Sequence, residues 1–285
     1  MAFMNGTLAV GRRRASVGSS FHYSFGLLPR DQRRGIEAVY AFCRAVDDLA
    51  DEGAVEPARA AALLRLHRDE IGRCYDGAPT LTVTRALQEW IRRFAIPRAP
   101  FDDLLDGVEM DLTTTRYAGF DDLKLYCYRV ASTVGLICVA IFGCRDPRSP
   151  AYAVELGIAL QLTNILRDIK SDAARGRIYL PADEMRAFGY SETELLAGRN
   201  TPAYLALMRH QVARAERQFE IAARSLPEED RPRLVAAEVM GAIYRRLLRR
   251  IADDPGQVFE GRITVPRLTQ VAVALRAWFT GHAGR

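Results

Sequence analysis

Apolar residues recur at intervals of three and four almost throughout the 285-residue chain, and runs of alternating β-branched residues are missing. That periodicity builds amphipathic helices and leaves no half-buried strands to pair, so the fold is expected to be all-α. Prolines and glycines punctuate the pattern into helices expected over 30–52, 57–75, 80–95, 100–113, 120–143, 150–172, 182–188, 201–225, 230–252 and 266–279. No Gly/Ser-rich or charged linker separates them. One domain over 18–285, behind a loose arm at 1–17, is therefore expected.

Composition narrows the function more than the fold. The 40 basic and 35 acidic side chains give a formal charge of +5, and all but two of the basic residues, Lys124 and Lys170, are arginine. No basic run exceeds Arg12–Arg14, so nucleic acid is not an expected partner, whereas anionic small molecules remain open. Five cysteines (Cys43, Cys74, Cys127, Cys138, Cys144) form no CxxC, and all but Cys74 stand in apolar surroundings; this reads as a reducing, cytoplasmic setting. The apolar stretch Val130–Cys144 is shorter than the ~18 residues of a membrane span and is read as a buried helix.

The segment IEAVYAFCRAVDDLADE (36–52) places Ile36, Val39, Tyr40, Cys43, Asp47 and Ala50 on one face at 100° per residue, with Arg44 and Asp51 at its edge. Ala38, Ala41, Phe42, Ala45 and Leu49 line the other side, so the helix is expected to be buried nearly all round. A lone carboxylate at Asp47 would be costly there and requires a cation. Asp47 and Asp51 are four residues apart, about 6 Å along the axis, a spacing at which both can ligate hard metal ions. Taken alone, the same DDxxD also suits an acidic helix end paired with Arg44 on a solvated face.

A second acidic helix, ELGIALQLTNILRDIKSD (155–172), shifts that balance. Gly157, Gln161, Asn164, Asp168, Ser171 and Asp172 share a stripe without Lys, Arg or Glu, beside an apolar stripe of Ile158, Leu162, Ile165, Leu166 and Ile169. Short oxygen-bearing groups at i, i+4 and i+8 (Asn164, Asp168, Asp172) suit inward-facing metal ligation, with Gly157 expected to leave room for a ligand. Two such helices in one bundle surround a central cavity with acid on facing walls. Oxygen donors without a His or Cys set favour Mg²⁺ or Mn²⁺ over zinc, and no Glu-x-x-His supports a di-iron site. Mg²⁺ completes its shell with water and phosphate oxygens, so a phosphate or diphosphate ester is expected; neither GxxxxGK[ST] nor GxGxxG is present for a nucleotide.

Five segments carry a resemblance: SSFHYSFGLLP (19–29), AVYAFCRAVDDLADE (38–52), YCYRVASTVG (126–135), ALQLTNILRDIKSDAARGRIYLP (159–181) and AEVMGAIYRRLL (237–248). In these, and in their order, the chain resembles the squalene/phytoene synthase family of head-to-head prenyl transferases. The resemblance implies an all-α isoprenoid-synthase bundle in which two aspartate motifs hold Mg²⁺ and the diphosphates of two prenyl substrates. By position, Asp47, Asp48 and Asp51 match the first motif, and Asn164, Asp168 and Asp172 the second. Arg44, Arg167, Ser19 and Ser20 match groups contacting diphosphate. Tyr40, Tyr126, Gln161 and Tyr244 match positions lining the reaction centre, Tyr126 being the tyrosine associated with proton removal. Segment 173–180, with Arg175 and Arg177, reads either as a flap over diphosphate or as an ordinary charged loop.

The resemblance implies that an allylic diphosphate ionises, that a second double bond attacks the cation, and that proton loss closes a cyclopropane. Members then diverge to presqualene diphosphate, to squalene with NADPH, or to dehydrosqualene and phytoene. Bulk at Tyr23 and Phe25 is expected to favour two C15 chains, and the likeness is to bacterial presqualene diphosphate synthases of hopanoid pathways. NADPH and a downstream oxidoreductase enter only if the reaction continues to squalene, and a greasy product suits peripheral contact with the inner membrane face. The rival readings are a phytoene or dehydrosqualene synthase, a terpene cyclase on the same fold, and a non-catalytic helical relative.

Overall fold

The protein is described here by a computed structural model covering residues 28–50 and 56–282. Thirteen α-helices follow one another among these residues: α1 (Arg30–Ala50), α2 (Pro57–Asp76), α3 (Thr82–Phe94), α4 (Ala99–Thr113), α5 (Phe120–Cys127), α6 (Thr133–Phe142), α7 (Ser149–Ala173), α8 (Ala182–Ala187), α9 (Glu192–Leu196), α10 (Pro202–Ser225), α11 (Val235–Asp253), α12 (Gln257–Glu260) and α13 (Arg267–His282). The extended pairing among the described residues is a single bridge between Arg116 and Ile178. The expected helices are present, and α9 and α12 are additional short turns. Helix α11, expected from 230, starts five residues later, at Val235. Asp230 is fully buried, and its carboxylate accepts hydrogen bonds from Arg145 N (2.6 Å), Asp146 N (2.7 Å) and Ser149 Oγ (2.8 Å), holding 230–234 as a turn that caps the approach to α7.

Helix α7 is the axis of the bundle, with α10, α6, α11, α5 and α12 packed around it, while α1 packs on α2, α3, α4 and α6. Between α5 and α6 the chain makes one turn of π-helix, Tyr128–Ser132, so that Phe120–Phe142 is one helical run of 23 residues. This run is long and apolar enough to cross a membrane, which the shorter stretch Val130–Cys144 is not, and 39% of its most apolar window is buried. The cavity explains this. Val130, Ala131, Val134, Gly135, Cys138 and Val139 face it rather than solid core.

The π turn lies against α7 at a very close crossing. A Cβ on Gly157 would stand 2.6 Å from Ser132 Cα, and one on Gly135 would stand 3.0 Å from the Ala153 carbonyl oxygen. Ser132 Oγ donates to the Val154 carbonyl at 2.7 Å across the same seam. Gly157 was expected to leave space for a ligand; its bare backbone is instead required by the Ser132 backbone, although the residue also reaches the cavity wall. The thiols follow burial: Cys43, Cys74 and Cys127 are buried. Cys74, expected to be the exception, is fully enclosed and faces the Thr84 carbonyl at 3.4 Å.

Candidate active site

Helices α1, α6, α7 and α11, with the π turn between α5 and α6, enclose a cavity of about 300 Å³, within the range of small-molecule sites. Its wall changes character along its length. Asp47, Asn164, Gln161 and Tyr244 stand at one end, while Ile36, Phe142, Tyr152 and Ala237 stand at the other. The close contacts Ser132–Gly157 and Gly135–Ala153 show that α6 and α7 run antiparallel, which brings Phe142 and Tyr152 to the same end. Gln32 Nε2 donates to the Phe142 carbonyl at 3.3 Å and so sets the start of α1 at that end too. Asn164 and Tyr152 are twelve residues apart on α7, about 18 Å of helix.

The first acidic row opens on the mouth of this cavity. Asp47 lines it and is exposed, as are Tyr40, Ala41, Arg44 and Asp48. The expectation that α1 is buried nearly all round, with Asp47 trapped in apolar surroundings, is therefore corrected: one side of the helix is exposed, and Asp47 stands on that side at the edge of the cavity. Arg44 pairs with Asp48 at 2.6 Å on the exposed side, the i,i+4 surface pairing that the sequence left open. Asp51, Ser19, Ser20, Tyr23 and Phe25 lie outside the described residues.

The second row is more enclosed. The Asn164 side-chain amide donates to Gln161 Oε1 at 3.2 Å, and Asn164 Oδ1 is buried without a hydrogen-bond partner among the described residues. A buried acceptor left in this way costs about 1–3 kcal/mol unless something meets it. Asp168 is held through both oxygens by Arg167, with Arg262 Nε 3.8 Å away. Asp172 lies off the wall of the large cavity and lines a second, small pocket with Arg177 and Tyr179; burial, then the neighbouring Asp168, pushes its carboxyl up to about 7. Two crowded carboxylates and an orphaned amide oxygen form a donor set that suits a hard divalent cation. No three His, Cys, Asp or Glu side chains converge on one point among the described residues. A cation here would be shared with ligand oxygens rather than caged by protein, which is how Mg²⁺ is usually held.

Arg262, from the loop between α12 and α13, is a site residue that the sequence reading missed. Burial, then the neighbouring Arg167, pulls its guanidinium below its ordinary value, and Arg175 adds to the crowding. Several guanidiniums gathered beside the acidic row make a seat for a multiply charged anion. Tyr244 lines the cavity and lies against Arg167.

Tyr126 is not on the wall of the large cavity. It is buried, with its hydroxyl 3.1 Å from Asp111 Oδ2 and 3.3 Å from the Tyr179 hydroxyl, while Tyr179 donates to Asp111 Oδ1 at 3.0 Å. The Tyr117, Tyr126 and Tyr179 rings pack together with centroids 5.1–5.7 Å apart. Asp111 and Tyr179 were also missed by the sequence reading, although Tyr179 stands inside the segment 159–181 that carries the resemblance.

Residues 14–269 match the squalene/phytoene synthase family. Phytoene synthase of Mycobacterium tuberculosis is 37% identical over 266 residues, covering 92% of this chain and 87% of that protein. Phytoene synthase of Arthrospira platensis is 36% identical, covering 88% and 85%. Among solved structures, a dehydrosqualene synthase in complex with ligand superposes with a TM-score of 0.76 at 30% identity, covering 92% of this chain and 91% of that one. Squalene synthase from Alicyclobacillus acidocaldarius gives a TM-score of 0.69 at 30% identity, covering 92% and 89%. By family match, by identity and by fold, the chain belongs to the squalene/phytoene synthase family, enzymes of the head-to-head prenyltransferase type that act on prenyl diphosphates.

Proposed function

We propose that the enzyme joins two farnesyl diphosphates head to head into presqualene diphosphate, using Mg²⁺ bound by the acidic rows of α1 and α7. The observation that carries the chain length is the 18 Å of α7 between Asn164 and the aromatic end at Tyr152 and Phe142. A cation between an amide oxygen and a phosphate oxygen takes about 4 Å of that, at ~2.1 Å per bond. About 14 Å is left for the diphosphate and the lipid together, which disfavours the longer of the two chains. At roughly 1.2 Å per bond in an extended chain, the farnesyl main chain spans about 13 Å and the geranylgeranyl chain about 18 Å.

Bound Mg²⁺ would neutralise the leaving diphosphate as the allylic bond breaks. Arg167 and Arg262 are placed to take the anion from the protein side. The apolar wall of α6, α7 and α11 keeps water from the cation, and the faces of Tyr40 and Tyr244 tolerate positive charge. A second reading, two geranylgeranyl diphosphates giving phytoene, is favoured by the relatives named phytoene synthase.

The test is incubation with either diphosphate and Mg²⁺, with and without NADPH, followed by mass analysis of the lipids. Presqualene diphosphate from farnesyl diphosphate is the expected product. Phytoene from geranylgeranyl diphosphate alone would replace this reading with the second, and no product from either would overturn both.

A further inference from the structure

Gln161 and Asn164 stand one turn apart on α7, and both line the large cavity at the end where Asp47 and Tyr244 stand. Asn164 Nδ2 donates to Gln161 Oε1 at 3.2 Å, while Asn164 Oδ1 is buried and has no hydrogen-bond partner among the described residues. Two neighbouring amides can be joined in either of two ways, since each carries a donor and an acceptor. Were the Gln161 amide to donate to Asn164 Oδ1, that oxygen would be satisfied and the Asn164 nitrogen would be left over instead. The pair takes the other arrangement, in which the buried oxygen stays unmet. That is the arrangement a metal-binding amide needs: with its oxygen given to a cation, its nitrogen must find an acceptor elsewhere. Gln161 Oε1 is that acceptor. Because the two side chains sit at i and i+3 on one helix, the amide plane is held without any movement of backbone.

We propose that Gln161 is a positioning residue: it accepts from Asn164 Nδ2 and so keeps the oxygen of Asn164, rather than the nitrogen, turned toward a divalent cation. The inference rests on the reading that the acidic rows bind Mg²⁺, but not on which prenyl chain is used. Asp168 and Asp172 are carboxylates and can offer an oxygen on either side, whereas the Asn164 amide has one oxygen and depends on which way it faces. A fixed orientation therefore matters more at Asn164 than at either carboxylate. The oxygen of Gln161 is committed to Asn164, so the two N–H groups of its own amide are what it has left to offer the cavity.

The test measures binding of Mn²⁺ to the full chain in the presence of inorganic diphosphate, with free Mn²⁺ read by electron paramagnetic resonance. The variants are Gln161→Met, Gln161→Glu, Asn164→Asp and the double variant Gln161→Met/Asn164→Asp. Methionine fills similar space without a strong acceptor. Loss of a group that orients a metal ligand costs about 10–100-fold in affinity, so the Mn²⁺ Kd of Gln161→Met should rise by about that factor, with helical circular dichroism unchanged. Gln161→Glu keeps the acceptor and should bind no more weakly than the wild type. With Asn164→Asp either oxygen can meet the ion, so adding Gln161→Met should change the Kd by less than about threefold. A role in packing alone would give the same loss in both backgrounds. A Kd for Gln161→Met within about threefold of wild type, an equal loss in the Asn164→Asp background, or Gln161→Glu as weak as Gln161→Met would overturn the proposal. Should Gln161→Met not fold, Gln161→Ala takes its place and is read in the same way. A wild type that binds no Mn²⁺ with diphosphate would defeat the metal reading and this inference together, whereas a wild type that binds it no better than Gln161→Met would defeat this inference alone.

Discussion

Arg177 and Ala50 lie far apart in the sequence, yet a guanidinium nitrogen of Arg177 donates to the Ala50 carbonyl at 2.8 Å. The same nitrogen donates to the Asp111 carbonyl at 3.0 Å. Ala50 is the last residue of α1, three residues after Asp47, and Arg177 follows α7 by four residues. One side chain thus ties the end of the first acidic helix to the loop leaving the second, with α4 between them. Segment 173–180, read from sequence either as a flap or as a charged loop, is a tether at Arg177.

Arg177→Gln should therefore loosen the register of the two rows. Charge-assisted hydrogen bonds to carbonyls are worth about 1.5–3 kcal/mol when buried, and this half-buried side chain warrants the lower end. A fall of a few degrees in the unfolding midpoint, with slower diphosphate release, is expected; thermal unfolding and a phosphate-release assay check both. An unchanged midpoint would mean that the tether is idle.

Gly157→Ala places a methyl group 2.6 Å from the Ser132 Cα, and backbone cannot step aside as a flexible side chain can. Overpacking of this kind costs about 1–3 kcal/mol. At roughly 2–4 °C per kcal/mol for a chain of this size, differential scanning calorimetry should show a drop of several degrees. Wild-type stability would contradict the close crossing of the π turn and α7.

Glu70 gives the acid side of the stability curve. It is fully buried and accepts hydrogen bonds from Thr80 N (2.8 Å), Thr80 Oγ1 (2.7 Å), Leu81 N (2.9 Å) and Thr84 Oγ1 (2.6 Å). Burial raises its carboxyl, but the bonds from Leu81, Thr84 and Thr80 outweigh burial and hold it well below the ordinary 4.5. A depressed folded value contributes stability above the unfolded pKa, and that stability is lost as the pH falls toward the folded one. Glu70→Gln should lower stability at pH 7 and flatten its decline below about pH 4.5. Urea titrations across pH 3–7 measure this; parallel curves for the two proteins would refute it.

Tyr152→Leu removes a phenol ring from the aromatic end and so lengthens the cavity. If that end sets chain length, the preference for geranylgeranyl over farnesyl diphosphate should rise by about tenfold, the size expected when one or two carbon units of a hydrophobic pocket change. Competition assays with both substrates read the ratio directly. A ratio equal to that of the wild type would mean that Tyr152 does not set chain length.

Helix order and the two acidic rows were legible because they are local: a 3.6-residue period shows which side chains share a face of one helix. Asn164 and Asp47 reached the same cavity as the periodicity implied. What the sequence hid depends on partners distant along the chain. Asp111 looks like an ordinary acid in the last turn of α4 until Tyr126 and Tyr179 meet it. Arg262 is one arginine among many until the loop after α12 sets it beside Asp168. The exposed side of α1 was misjudged because small alanines such as Ala41 read as core, although they bury little area wherever they stand.

The central claim is that the oxygen rows of α1 and α7 share divalent cations with a prenyl diphosphate, and crystals grown with Mn²⁺ and a non-ionising thiolodiphosphate analogue of farnesyl diphosphate test it by anomalous scattering. The account predicts manganese peaks in the cleft, with oxygens of Asp47 on one side and of Asn164, Asp168 or Asp172 on the other among their ligands, and Asp168 released from Arg167. Peaks only on the outer surface, or an analogue seated away from both rows, would contradict it.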